Sequence, residues 1–103
     1  MNLRQLARGQ DCMIRLPNVC NRDPETTVLA HFRMIGLSGM GHKPRQNDIW
    51  GAWACSACHA YVDTHKDDAT VVDFLKGVIR TQAAVIELRG PAGLTHSGGN
   101  RCA

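Results

Sequence analysis

The stretch from Ala54 to His65, Ala-Cys-Ser-Ala-Cys-His-Ala-Tyr-Val-Asp-Thr-His, gathers two thiols, two imidazoles and a carboxylate in twelve residues. Cys55 and Cys58 have the C-x-x-C spacing of a zinc knuckle, in which a tight turn aims two thiolates at one ion and the chain then enters a helix. His59 follows directly. On that helix His59 and Asp63 are one turn apart, with about 5–6 Å between their β-carbons, close enough to share a small cation. Such a pair is a half-site for Mg²⁺, Mn²⁺ or Zn²⁺, with positions left over for water and a substrate oxygen. The plainer reading is a weak ion pair on a helix surface.

A second cysteine pair, Cys12 and Cys20, lies far upstream, and with Cys55 and Cys58 it would close a structural Zn²⁺ tetrahedron. A site of that kind contributes on the order of 10 kcal/mol of folding free energy, which suits a small domain. The seven residues between Cys12 and Cys20 exceed the spacing of a standard knuckle. An alternative therefore stays open, in which these two are small buried hydrophobes and His59 or His65 completes the zinc shell. Cys102 is read as a spectator.

The elements that must position these groups belong to one small domain: 103 residues, 44% hydrophobic and 20% charged. An odd count of five cysteines and the lack of a secretion signal favour reduced thiolates over disulfides. No run of about 18 apolar residues predicts a membrane span, so the expected compartment is the cytoplasm. The net charge of +3 is lopsided, with seven Lys or Arg against four Asp or Glu in residues 1–49 and five of each in residues 50–103. That excess hints at a polyanionic partner or is an ordinary solvated surface.

Along the chain, Leu3, Leu6 and Ala7 predict a short helix over Asn2 to Arg8, capped by Asn2 and stopped by Gly9. Met13 to Leu16 reads as a strand-like run that turns at Pro17-Asn18 and brings Cys12 and Cys20 together. Thr26 to Met34 is rich in β-formers and predicts a strand carrying His31, paired with a second strand over Ile49 to Ala54. Trp50 and Trp53 are expected in the core. Between the strands, Gly36, Gly39 and Gly41 with Lys43 and Pro44 make a basic loop; an anion could approach its backbone, but no Walker spacing is present. Lys66-Asp67-Asp68 should break the knuckle helix and cap the next. A long helix is predicted from Asp68 to Arg89, with Val71, Val72, Leu75, Val78, Ile79, Ala83 and Ile86 as its packed stripe and Gly90-Pro91 as its end. Gly77 within it should cost about 1 kcal/mol relative to alanine. Residues 1–90 are read as the domain and 91–103 as a flexible C-terminal tail.

Val28-Leu29-Ala30-His31, Gly36 through Pro44 with Asp48, and Ala54 through Asp63 together resemble the prophage YbcO-type nuclease family and, more broadly, the HNH or His-Me finger endonucleases. The likeness covers Leu6 to Asp63. It implies an α+β fold, a small treble-clef ββα-metal domain, here with an additional long C-terminal helix. It also implies a metal-dependent endonuclease acting on DNA, with His31 as general base, His59 and Asp63 as ligands of a catalytic Mg²⁺ or Mn²⁺, and a structural Zn²⁺ on the cysteines. Two departures stand out: Ala30 occupies the place where many HNH enzymes carry a ligating Asp or His, and no central Asn is evident, Asp48 being the nearest candidate to orient His31 or reach the metal and Asn47 a weaker one.

The chemistry asks for such parts. A phosphodiester is an anion that resists hydroxide, so its hydrolysis needs a base near neutrality and a cation to balance the charge growing on phosphorus and the leaving oxygen. Arg33, Lys43 and Arg45 would anchor flanking phosphates. The rival reading is a zinc-stabilised nucleic-acid-binding or protein-interaction module without activity. A third is an assembly partner, a homodimer through the C-terminal helix, whose apolar stripe is expected to exceed what one small core covers.

Overall fold

The computed structural model describes residues 2–33 and 48–90. It is a small α+β structure: α1 (Leu3–Leu6), a 3₁₀ turn (Pro24–Thr26), β1 (Val28–His31), β2 (Gly51–Ala54), α2 (Ser56–Thr64) and α3 (Asp68–Arg89). Residues 34–47, with the glycine-rich loop, Lys43 and Arg45, and residues 91–103, with the expected tail, lie outside the described residues.

The two strands pair antiparallel, Val28 with Ala54 through His31 with Gly51. Gly51 is set by close approach: a β-carbon there would meet Leu29 Cδ1 at 2.6 Å. β2 is buried along its whole length, and its far side is satisfied by other elements. The Trp53 N–H donates to Thr81 Oγ1 on α3 (2.9 Å), and the Met13 N–H donates to the Trp53 carbonyl (2.7 Å). Buried backbone groups need such partners because leaving one unpaired costs about 1–3 kcal/mol.

Each helix begins where its capping chemistry predicts. Asn2 and Gln5 form a capping box at α1, Cys55 caps α2 through its sulfur, and Asp67 caps α3 through Thr70. Gly9 and Gly90 take left-handed backbone just past α1 and α3. α1 is shorter than predicted, yet it buries Leu3 and is followed by a fully buried Ala7.

Three expectations fail. Met13 to Leu16 forms no strand; its residues follow irregular backbone with Arg15 left-handed (φ 55°), and Ile14 and Leu16 still reach the core. Trp50 is exposed (42%), whereas Trp53 is buried. The packed face of α3 is also a different one, formed by Thr70, Phe74, Gly77, Val78, Thr81 and Val85. Of the predicted stripe only Val78 is buried, while Val72, Leu75, Ile79 and Ile86 face solvent. The helix approaches β2 through small and hydroxylated residues, since Gly77 and Thr81 allow close contact with Ile14 and Trp53 where a larger side chain would hold the layers apart. No helix among the described residues is long and apolar enough to cross a membrane.

Candidate functional site

Two constellations of candidate residues interleave along the sequence. In the first, the sulfurs of Cys12, Cys20, Cys55 and Cys58 lie within 4.8 Å of one another. Cys12, Cys55 and Cys58 are buried and Cys20 is half-buried; all four are free thiols. Zinc–sulfur bonds of about 2.3 Å at tetrahedral angles put neighbouring sulfurs about 3.8 Å apart, and Cys20 Sγ and Cys55 Sγ are separated by 3.8 Å. The donor set and spacing fit a structural metal such as zinc.

The surrounding backbone is built for thiolates. The N–H groups of Cys58 (3.3 Å) and Asn21 (3.5 Å) donate to Cys55 Sγ, and the left-handed turn at Arg15 lets its N–H donate to Cys12 Sγ (3.5 Å). Asn21 also ties the two halves of the cluster together by donating from its side chain to Ser56 Oγ (3.1 Å). Burial pushes the Cys55 thiol up, but the N–H donors from Cys58 and Asn21 outweigh it and bring the pKa down to about 7. Burial pushes Cys58 and Cys20 the other way, upward, helped by the neighbouring Cys12. Four sulfurs this close cannot all ionise without a cation among them.

The second constellation is centred on His31, at the end of β1. Its Nε2 lies 2.7 Å from Asp48 Oδ1, and the Asp48 side chain is fully buried. Arg4 Nε, from α1, donates to that same oxygen at 3.2 Å. Burial would raise the Asp48 pKa; the hydrogen bond from His31 and the Arg4 charge overcome it and hold the carboxyl below its ordinary range. An ionised carboxylate can only accept, so Nε2 carries the hydrogen and, in the neutral ring, Nδ1 carries the lone pair.

His31 also lines a cleft of about 280 Å³ together with Arg33, Asp63, His65 and Lys66. Phe32 and Phe74 line it too, their rings edge to face with centroids 5.2 Å apart. On α2, His59 Nε2 and Asp63 Oδ2 are 3.5 Å apart, and both side chains are open to solvent. His31, Asp63 and Arg33 thus share one cleft, while His59 pairs with Asp63 from outside that lining. Among the described residues the cysteines are the only group of three or more candidate ligands close enough to hold one ion.

Sequence reasoning gave no site role to Arg4 or Lys66, and it considered His65 only as an alternative zinc ligand, whereas the structure places it in the cleft lining. The capping box at Asn2 and Gln5 does mark α1 as a formed helix. Nothing in local pattern, however, joins Arg4 to a carboxylate 44 positions away. His65 stacks flat on Tyr61, centroids 3.7 Å apart, which brings it to the cleft from the end of α2.

The family described as "Putative nuclease YbcO" matches residues 1–89. The chain belongs to the YbcO family. It is 49% identical over 85 residues to "Putative nuclease YbcO" of Escherichia coli (strain K12), covering 79% of this chain and 86% of that protein, and equally so to the protein of the same name from Enterobacteria phage 82. Among solved structures it resembles "Structure of a putative bacteriophage protein from Escherichia coli str. K-12 substr. MG1655", with a TM-score of 0.64 and 40% identity over 82% of this chain and 96% of that one. The cysteine cluster and the His31 cleft both fall inside the matched span.

Proposed function

We propose that this YbcO-family chain is a metal-dependent endonuclease of phage or prophage type that hydrolyses phosphodiester bonds in DNA, working in the cytoplasm through a treble-clef, His-Me finger site. The observation that carries the reading is the His31–Asp48 pair: an imidazole on a strand end, oriented by a buried carboxylate and opening on a cleft shared with Asp63. With Nε2 held by Asp48, Nδ1 of His31 takes the proton of the attacking water. His59 and Asp63 would hold the Mg²⁺ or Mn²⁺, which when bound would supply positive charge against the charge growing on the phosphate and its leaving oxygen. Arg33 in the cleft, with Lys43 and Arg45 further along the sequence, anchors flanking phosphates. Cys12, Cys20, Cys55 and Cys58 hold a structural Zn²⁺ that fixes the start of α2 and so the placement of His59. Residues 1–90 form the working domain and 91–103 a tail.

The test is nicking of supercoiled plasmid with added Mg²⁺ or Mn²⁺. His31→Ala abolishes nicking while DNA affinity and zinc content stay at the wild-type level. Absence of cleavage by the wild-type protein with every divalent ion tried rejects the reading.

One observation favours a second reading, a zinc-stabilised binding module without activity: Ala30 supplies no ligand beside His31, and His59 stands outside the cleft lining that His31 and Asp63 share. Under it, the wild-type protein cleaves no DNA with any divalent ion, and His31→Ala changes neither DNA affinity nor zinc content. The homodimer expectation rests on the outer face of α3, where Val72, Leu75, Ile79 and Ile86 are spaced as a coiled-coil seam and exposed. Sedimentation equilibrium of wild type against Ile79→Lys decides it.

A further inference from the structure

We propose that Arg4, on α1, is a positioning residue of the His31–Asp48 pair: it fixes the carboxylate against the ring and keeps His31 from binding its proton too tightly to act as a base. What the tuned ring does rests on the nuclease reading above, but the tuning itself does not.

Asp48 Oδ1 accepts from both His31 Nε2 at 2.7 Å and Arg4 Nε at 3.2 Å. A buried carboxylate bonded to an imidazole alone favours the imidazolium, because the ring is then the sole cation facing a desolvated anion. A histidine so paired holds its proton through neutral pH and cannot accept one from water. Arg4 changes that balance from the opposite side. Sharing one oxygen, the guanidinium and the ring are no more than about 6 Å apart, so the permanent positive charge both satisfies Asp48 and opposes a second positive charge on His31.

Two features make the contact more than a chance surface pair. Arg4 is carried by a helix of four residues with its own capping box, and that helix is pinned by Leu3 and Ala7, both buried. The carboxylate it meets has no exposure at all. The other charged groups facing His31 are Arg33 beside it on the chain and Asp63, His65 and Lys66 from α2 and its end, all across the cleft. Mixed in sign and facing water, they act on the ring weakly. Asp48 is assigned here to orientation and not to the cation. Arg4 is itself more than half exposed, so solvent screening weakens its pull on the pair.

The experiment titrates the His31 ring by NMR in zinc-loaded full-length protein without added Mg²⁺ or Mn²⁺, comparing wild type with Arg4→Gln, Arg4→Met and Arg4→Lys, and records the pH dependence of plasmid nicking for the same four proteins. Arg4→Met keeps the aliphatic stem and stands in if Arg4→Gln fails to fold. Removal of the charge moves the ring titration and the acid limb of the rate profile to higher pH together, with the rate recovering at alkaline pH. Arg4→Lys, which keeps the charge, returns both towards wild type. An unmoved ring pKa in the folded charge-free variant overturns the proposal, as does a rate lowered equally at every pH. The ring titration needs no cleavage, so a wild-type protein that never cuts DNA sinks the nuclease reading and still leaves this one decided.

Discussion

Ile14 lies directly against the backbone of Gly77, so that a β-carbon on Gly77 would fall 2.8 Å from Ile14 Cγ1, 3.1 Å from its Cα and 3.2 Å from its N. Two of those three atoms are main chain and cannot swing away. The relation ties the loop that carries Cys12 to the middle of α3, and it reverses the usual expectation for a helical glycine. Gly77→Ala should gain about 1 kcal/mol of helix propensity and lose more to overpacking, for a net destabilisation of about 1–2 kcal/mol. Urea denaturation of the zinc-loaded protein measures it; a midpoint equal to or above wild type would show that the loop yields freely.

Thr81 holds a parallel relationship with Trp53. Its hydroxyl donates to the Gly77 carbonyl at 2.7 Å and accepts the Trp53 N–H at 2.9 Å, all in the buried interior. Thr81→Val keeps the shape and removes both bonds, leaving the Trp53 N–H in an apolar setting. The expected cost is about 1–3 kcal/mol, well above that of Thr81→Ser, which preserves the hydroxyl. Equal losses for valine and serine would mean that the methyl group, not the hydrogen bonds, is what matters there.

These two positions also mark the limit of what the sequence could disclose. Cap residues, the C-x-x-C knuckle and the β-rich run before His31 act locally, and they correctly place the start of α2, the extent of α3 and the antiparallel pairing of β1 with β2. The face of α3 that packs was misread because hydrophobicity picks out Val72, Ile79 and Ile86, while closeness of approach picks out Gly77 and Thr81. Cys12 and Cys20 converge with Cys55 and Cys58 although their loop spacing matches no standard knuckle. Arg4 was invisible for a different reason: its partner lies across the fold, and only the assembled structure joins them.

Metal removal should expose how little the core does alone. The described core is two small clusters, one of which contains Cys12, Cys55 and Cys58 themselves. Stripping a structural zinc forfeits on the order of 10 kcal/mol of linked folding free energy, comparable to the whole net stability of a domain of this size. We expect one zinc per chain by elemental analysis, and loss of cooperative unfolding on prolonged chelation or in Cys58→Ser. A chelated protein that still melts in one sharp transition would reject the cluster as the staple.

Acid stability should report on Asp48. Its folded pKa is lowered beneath the ordinary 3.8, so its contribution to stability is fully present above about pH 4 and is lost as pH falls through the lowered value. Asp48→Asn removes that contribution at every pH. The gap in urea midpoint between zinc-loaded wild type and Asp48→Asn should therefore narrow as pH is lowered through about 4, over the range in which both proteins keep their zinc. A gap that widens in acid would mean that Asp48 is protonated in the folded state and that its bond to His31 is not an ionic one.

The two metal demands of the proposed site should separate cleanly. His59 and Asp63 sit on the exposed side of α2, 3.5 Å apart, whereas Cys55 and Cys58 face the buried cluster at the start of the same helix. His59→Ala and Asp63→Ala remove one ligand each from an open, weakly held cation and nothing from the interior, so surface substitution leaves stability within about 0.5 kcal/mol. Each should raise the Mn²⁺ concentration needed for half-maximal nicking by tenfold or more, equivalent to about 1.4 kcal/mol, while zinc content and melting temperature hold. The double variant should lose little beyond the worse single, because the cation site is already broken once either ligand goes. If instead either substitution releases zinc, His59 or Asp63 belongs to the cluster, and the cation has to be sought elsewhere in the His31 cleft.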